Sequence, residues 1–429
     1  MSTNSIAKYA PESSSGMGVR QCGIVALCMF LNMTDGFDLF LIGFALPHLP
    51  KDFASASEKG VIISLALVGM GIGAIFLARL ADRFGRRSTV LCGLLVNLVG
   101  LVVSTLAVNQ VMLMTGRFIT GLGVGMVSVV IVVIAQEGAP RNRRNMSTGM
   151  VMIGFPLGST VAGLGGAAAL SLTAGAWQSL FWLGAALAVV SLVVAFFTVP
   201  ESAAFLARSS GVASDSGPGI APVAALEDSP ASGAHRALLG RSLWATTVLL
   251  AGGYGMLSAA YYFVGTWTPQ LITDLSRNGA TGSLAGIAVS VGTFVGAILF
   301  ALLGLRLSAV RLTLAFLFLA VVAIVGFALL LPNAVANVFA GLLGVAVFAS
   351  LCGYTAMVPT WYPVLARAKG YGMMLGVGRV GAVIAPLLVG VAVGVIEPAM
   401  IYLLTVIPVG FAVASSLFLL PRSRSKITG

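Results

Sequence analysis

Twelve apolar runs, each long enough to cross a bilayer, leave this chain few folds to choose from. A membrane-spanning helix needs about 20 consecutive apolar residues. Inside the hydrocarbon every backbone N–H and C=O must find a partner within its own segment, so such runs become helices. The runs fall at 21–47, 59–80, 88–108, 110–136, 146–170, 177–199, 242–266, 282–304, 309–331, 334–359, 370–396 and 399–420. Only 9% of the 429 residues are charged and 58% are hydrophobic, where a soluble domain carries about 25% charge. Those figures exclude a cytosolic globular protein, a disordered chain and a disulfide-stapled module. The fold class is an all-α polytopic membrane protein with 12 transmembrane helices.

The spans divide six and six around 201–241, a hydrophilic stretch rich in Ser, Gly, Ala and Pro that reads as a flexible linker. The organisation is therefore a tail over 1–20, a six-helix bundle over 21–200, the linker, a second bundle over 242–420 and a tail over 421–429. The first tail is polar and lacks a cleavable signal pattern, so the first span is expected to remain as a membrane helix. Cys22, Cys28, Cys92 and Cys352 form no CxxC pair and lie beside no clustered His. Neither a metal nor a disulfide framework is expected, and no cofactor beyond a proton.

The net charge of +11 sits in short Lys/Arg clusters between spans. That is the pattern that orients a membrane protein, and it gives no reason to expect nucleic acid as a partner. With the N-terminus inside, 19 Lys and Arg fall on the cytoplasmic side and 3 (Lys51, Lys59, Arg277) on the other. Both termini are then cytoplasmic, in a multi-pass protein of the inner (plasma) membrane. The halves also repeat. A shift of 223 positions lays Pro140 on Pro363, Arg144 on Arg367, Gly149 on Gly372, Met150 on Met373 and Gly158 on Gly381. Duplicated six-helix units are a transporter plan, with cargo held near the midplane between them.

An ionisable residue at membrane depth costs about 2.5–3.5 kcal/mol on insertion scales, so each needs a reason. Asp35 and Asp38 share one face of the first span, with Asn32 one turn earlier. Two such carboxylates repel when both are ionised, which suits a proton carrier; the alternative is a partner for a buried arginine. Arg117 begins the fourth span, followed on its face by Gly121 and Gly125, which read as packing glycines. It suits either an acid of the first span or an anionic substrate. Arg379 lies deep in the eleventh span, and no acid of the second half sits at its depth. A bound carboxylate would partner it; a cross-half ion pair with Asp35 or Asp38 is the alternative.

The loop ARLADRFGRR carries Asp82, Arg83, Gly85, Arg86 and Arg87. A positive-inside cluster accounts for the arginines but not for the Asp or the Gly turn. Asp82 near a helix N-terminus can accept bonds from arginines, forming a latch that holds one conformation and breaks in the other. Glu137, Arg141 and Arg144 of QEGAPRNRR, and Arg367 at the matching place in the second half, are its candidate partners. VPESAAFL adds Pro200, Glu201 and Ser202, where a simple helix stop is the alternative.

ADRFGRR resembles the loop signature of the major facilitator superfamily, and RFITGLGVG its fourth-helix motif. DGFDLFLIGFALPHL, YYFVGTWTPQLI, VPESAAFL and YPVLARAKGYGMMLGVGRVGAVIAPLL resemble the aromatic acid:proton symporters of that superfamily. The resemblance implies a twelve-helix fold, alternating access and proton-coupled import of a small aromatic carboxylate such as benzoate or a hydroxybenzoate. It also implies transport roles for Asp35, Asp38, Asp82, Arg83, Arg86, Arg87, Arg117 and Arg379. Two departures stand out: Ala78 replaces the first Gly of the loop motif, and the second-half copy is degraded to GLRLSAVR without an Asp. Neither His48 nor His235 lies in a C-terminal span, and His48 reads as interfacial.

A flat ring invites aromatic partners. Phe37, Tyr254, Tyr261, Tyr262, Trp267, Tyr354 and Trp361 are candidates, against lipid-facing or core packing; Tyr261 and Tyr262 are successive, so at most one is expected to line a cavity. The expectation is a non-enzymatic transporter, functional as a monomer, whose partners are a carboxylate, protons and the bilayer. Symport of nicotinate, sialate, a sugar or a sugar acid, proton-driven export, and a non-transporting receptor are the rival readings.

Overall fold

A computed structural model describes residues 17–140, 143–201, 243–331, 333, 335–362 and 364–425. Twelve helices long and apolar enough to cross a membrane follow one another. They are α1 (Val19–Ala45), α2 (Ala56–Ile72, continued by a π turn to Leu77), α3 (Arg86–Thr105), α4 (Gln110–Gly138), α5 (Arg144–Leu172) and α6 (Gln178–Thr198) in the first half. The second half holds α7 (Trp244–Ser276), α8 (Gly279–Leu303), α9 (Ala309–Leu330), α10 (Ala336–Trp361), α11 (Val364–Ala392) and α12, broken at Thr405 into Pro398–Leu404 and Val406–Ser425. The linker, apart from Glu201, lies outside the described residues.

The largest departure from the hydropathy reading is α7, which runs ten residues past the expected 266. The segment TWTPQLITDLS is too polar to score as membrane-spanning, and Pro269 lies inside it. It stays helical because its hydroxyls bond back to its own carbonyls: Thr266 to Tyr262 O (2.6 Å), Thr268 to Val264 O (2.6 Å) and Thr273 to Pro269 O (2.8 Å). The polar groups thus carry their partners with them into the bundle.

Each half packs the same way. α1 lies on α5 as α7 lies on α11; α2 on α4 as α8 on α10; α3 on α4 and α6 as α9 on α10 and α12. The repeat seen in the sequence has a packing reason. A Cβ on Gly158 would strike Met33 O of α1, and one on the matching Gly381 would strike Gly255 O of α7. Without a hydrophobic force between helices in lipid, close backbone approach at small residues supplies the contact.

Across the halves, α2 meets α11, α5 meets α8 and α1 meets α7. Ser64 bonds Val383 O (2.8 Å), Thr160 bonds Ser290 O (2.9 Å), and Lys59 Nζ reaches Gln270 (3.2 Å), which in turn bonds Asp274. These contacts lie from mid-depth to the arginine-poor face. Gly149 sits three turns before Thr160 on the same face of α5, and Gly372 three turns before Val383 on α11. Neither has an atom within 4 Å of where a Cβ would stand. The stripes that touch across the halves at one end therefore face open space at the arginine-rich end, and the halves enclose a vestibule that opens there.

Candidate functional site

The buried charges cluster around that vestibule, in two layers. The inner layer is in the first half. Asp38 of α1 is 1% exposed, accepts a hydrogen bond at Oδ2 from the Asn97 amide of α3, and leaves Oδ1 without a partner. Arg117 of α4 is 0% exposed. It does not grip the carboxylate: Nη1 donates to the backbone carbonyl of Asp38 (3.0 Å), while Nε and Nη2 have no partner. Asp35, one turn earlier and equally buried, leaves Oδ2 unpaired and lies within electrostatic range of both Asp38 and Arg379. α1 comes this close to α5 because a Cβ on Gly36 would strike Phe155 O.

The outer layer is in the second half. Arg379 of α11 is half-buried, and its Nη1 contacts the Met70 thioether of α2 (2.9 Å) and the Tyr262 hydroxyl of α7 (3.4 Å). Among the described residues neither Arg379 nor Arg117 has a carboxylate within ion-pair distance. The cross-half ion pair considered from the sequence is therefore not formed. A guanidinium here meets only a weak sulfur acceptor and a phenol, well short of its five-donor capacity.

Beside Arg379 stands a wall of rings. Phe40 stacks on Tyr262 (centroids 6.0 Å, 11°) and meets Tyr261 (5.4 Å) and Phe155 (5.9 Å) edge-on, and Tyr261 also meets Phe348 (5.3 Å). Tyr261 and Tyr262 are both buried, at 4% and 7% exposure, and of the two it is Tyr262 that meets Arg379. Both flank Phe40, because Gly265 lets the Phe40 ring lie directly on α7.

Other candidates move away from the site. Tyr354 is 0% exposed, with its hydroxyl against Ala412 O (2.8 Å) and Ser415 of α12, so it packs a helix interface rather than a cargo. Phe37 and Trp267 are buried, at 1% and 0% exposure, to the same degree as Phe40 at 2%, and neither contacts Arg379 by a hydrogen bond. Arg117, sealed between α1 and α4, has no open path to cargo in this conformation. His48 lies at the arginine-poor end, its Nδ1 3.1 Å from Phe44 O.

The loop residues assemble within the first half. Arg86 pairs with Glu137 at the end of α4. Gly85 takes φ +94°, a conformation open to glycine, and a Cβ there would press on the Glu201 carboxylate. Glu201 accepts from the Arg86 and Arg87 backbone N–H groups (2.8 and 3.4 Å) and so caps α3, favoured by the helix dipole. Arg87 donates to Phe196 O (2.6 Å), and Arg83 lies over the Phe84 ring. Arg367 bonds Pro359 O of its own half (3.0 Å), and Arg144 Nε has no partner. The cross-half latch is thus not closed by Arg367, as the open arginine-rich face requires. The Asp82 side chain and Arg141 lie outside the described residues.

Sequence reasoning passed over Asn97, Met70, Phe40, Phe155 and Phe348. Asn97 had a signal, being a lone amide in an apolar span. Met70 and the phenylalanines had none, since apolar residues in a span look alike whether they face lipid, core or vestibule.

Twelve spans in two matching halves, with buried charges around a central opening, define a polytopic membrane transporter. The chain belongs to the Major Facilitator Superfamily, whose family model matches residues 28–358, and within it to the aromatic acid:proton symporter family. It is 28% identical to the gentisate transporter of Corynebacterium glutamicum, over 87% of this chain and 82% of that protein. It is 30% identical to the 4-hydroxybenzoate transporter PcaK of Pseudomonas putida (85% and 84%) and 29% identical to the gallate transporter of the same organism (86% and 84%). Its fold is that of a D-xylose-proton symporter, with TM-score 0.70 at 16% identity, covering 92% of this chain and 96% of that one.

Proposed function

We propose that this protein imports a small aromatic carboxylate together with a proton by alternating access, from an inner membrane in which both termini are cytoplasmic. The observation that carries the reading is Arg379, a guanidinium at mid-depth beside a cluster of aromatic rings, with no carboxylate among the described residues at ion-pair distance. A cargo carboxylate would replace the Met70 thioether, and its ring would lie against Phe40 and Tyr262. The names of the relatives, transporters of gentisate, 4-hydroxybenzoate and gallate, point to the same cargo class.

Asp35 and Asp38 are the proton carriers in this reading. Protonation from outside neutralises the first-half layer while the carboxylate neutralises Arg379, and the halves then rock about the α2–α11 and α5–α8 contacts. At an effective dielectric near 20 an ion pair at 4 Å contributes about 4 kcal/mol, enough to bias two states a few kcal/mol apart. One proton with one monoanion moves no net charge, so the pH gradient drives uptake; a second proton would add about 2.3 kcal/mol per 100 mV. With the arginine-rich face cytoplasmic, the vestibule described above is the inward-open state.

The test is uptake of labelled benzoate, hydroxybenzoates, phenylpropanoids, nicotinate and sugar acids into cells expressing the chain, with and without an uncoupler. Aromatic acid uptake that collapses with the uncoupler, and an Arg379→Gln variant whose KM rises at least tenfold, are expected. Uptake that survives the uncoupler refutes proton coupling, and an unchanged KM in Arg379→Gln refutes the carboxylate site.

A further inference from the structure

Away from the vestibule, on the outer surface of the first half, α3 and α6 leave between them a groove of about 470 Å³. Leu91 and Leu95 wall it from α3, and Leu192, Val193, Phe196 and Phe197 from α6; its lining holds no charged or hydroxyl-bearing residue. Leu95, Val193, Phe196 and Phe197 are at least half exposed, so in a bilayer this concave face meets acyl chains. One end of it carries a charge. Arg87, Leu91 and Leu95 follow at i, i+4 and i+8 on one face of α3. The Arg87 guanidinium lies over the Phe196 ring, 5.6 Å from its centroid, and Nη2 donates to Phe196 O (2.6 Å). From Arg87 to Leu95 the helix rises about 12 Å, most of the roughly 15 Å of hydrocarbon in one leaflet. Arg87 stands at the arginine-rich end, where that leaflet has its headgroups.

Among the described residues Arg87 has no carboxylate within ion-pair distance of its side chain. Glu201 touches this residue at the backbone, where it accepts from the Arg86 and Arg87 N–H groups and caps α3. Phe196 O takes one guanidinium N–H, and the rest of the five-donor fork is left for a partner. A phosphate fits that fork, because its oxygens accept parallel, charge-assisted hydrogen bonds. We propose that the α3–α6 groove binds one anionic phospholipid, with an acyl chain along Leu91, Leu95, Val193 and Phe197 and the phosphate on Arg87. Basic sites between membrane helices favour anionic headgroups, whereas a zwitterionic lipid brings its own cation to the phosphate and gains less. A second copy of the chain fits the groove poorly. Two-fold docking sets the same patch on both partners, so each would bring its own Arg87 to the seam, and like charges oppose that contact.

The experiment titrates the full chain, purified in detergent, with phosphatidylglycerol, phosphatidylcholine or glycerol phosphate, and counts bound molecules by native mass spectrometry. The wild type is expected to hold one phosphatidylglycerol about tenfold more tightly than phosphatidylcholine, the effect of one charge-assisted contact. Glycerol phosphate, which has the headgroup charge without the chains, is expected not to bind at the same concentrations. Arg87→Gln should bring the two lipids within twofold of each other. Arg311→Gln, which removes an exposed arginine at the start of α9 on the same arginine-rich side, should keep the full preference. Val193→Trp fills the groove from an exposed position and should weaken both lipids at least fivefold, with an unchanged melting midpoint in lipid-free detergent to report folding. Equal wild-type affinity for the two lipids overturns the proposal, as does a preference that survives Arg87→Gln or is lost equally in Arg311→Gln. Phosphatidylglycerol bound as tightly by Val193→Trp removes the groove from the site, and a dimer found in place of bound lipid assigns the face to a second copy; either result overturns it too.

Discussion

Adding one methyl group at Gly60 is expected to push the arginine-poor face open. Gly60 of α2 lies against α11 of the other half, where a Cβ would stand 2.6 Å from Pro386 O and 3.3 Å from Gly390 Cα. Ordinary contact begins at 3.4 Å, so the two helices must separate by several tenths of an ångström. The approach is reciprocal, since a Cβ on Gly390 would stand 2.8 Å from Ala56 O. Overpacking of this kind costs about 1–3 kcal/mol. The cost applies only while the halves touch here, because opening this face moves α11 away from Gly60. Gly60→Ala therefore shifts the ratio of the two states roughly 5- to 150-fold toward opening on this face. The assay is a spin-label distance between Ser57 and Val395, both exposed at this face, in a background with the four native cysteines replaced. A longer-distance population should grow in Gly60→Ala and further in Gly60→Val. Gly71→Ala, with nothing within 4 Å, should match the parent. Parent-like distances in both Gly60 variants would refute the claim that this contact holds the face shut.

Asp35→Asn should uncouple uptake from an imposed pH gradient while substrate exchange across the membrane persists; an unchanged response to the gradient removes Asp35 from the coupling step. Glu201→Ala removes the cap of α3 and should cost about 1 kcal/mol, read as a melting midpoint lowered by a few degrees in detergent. Tyr354→Phe deletes a buried hydroxyl that serves the α10–α12 interface. It should lower thermal stability by about 1 kcal/mol and leave substrate KM unchanged, and a KM shift would restore Tyr354 to the site.

Hydropathy is a property of a short stretch of chain, and the twelve helices were legible for that reason. It faltered at α7, where Thr266, Thr268 and Thr273 satisfy themselves within their own helix and no sum over side-chain polarity registers it. The repeat was legible too, because Gly158 and Gly381 do the same steric work in each half. The expensive residues, Asp35, Asp38, Arg117 and Arg379, could be singled out as buried charges, but not assigned to partners. Arg117 proved to bond the backbone of Asp38, and Arg379 a thioether 309 positions away in the chain.

What the sequence by itself determined is where the chain enters and leaves the bilayer and which charged groups it carries there, since both follow from local composition and the cost of moving it out of water. The tertiary structure alone decided which face is sealed, why Tyr261 and Tyr262 share one ring partner, and why Tyr354 packs a helix interface. Those outcomes depend on surfaces brought together from distant parts of the chain, and an apolar or aromatic residue carries no local mark of the neighbour it will meet.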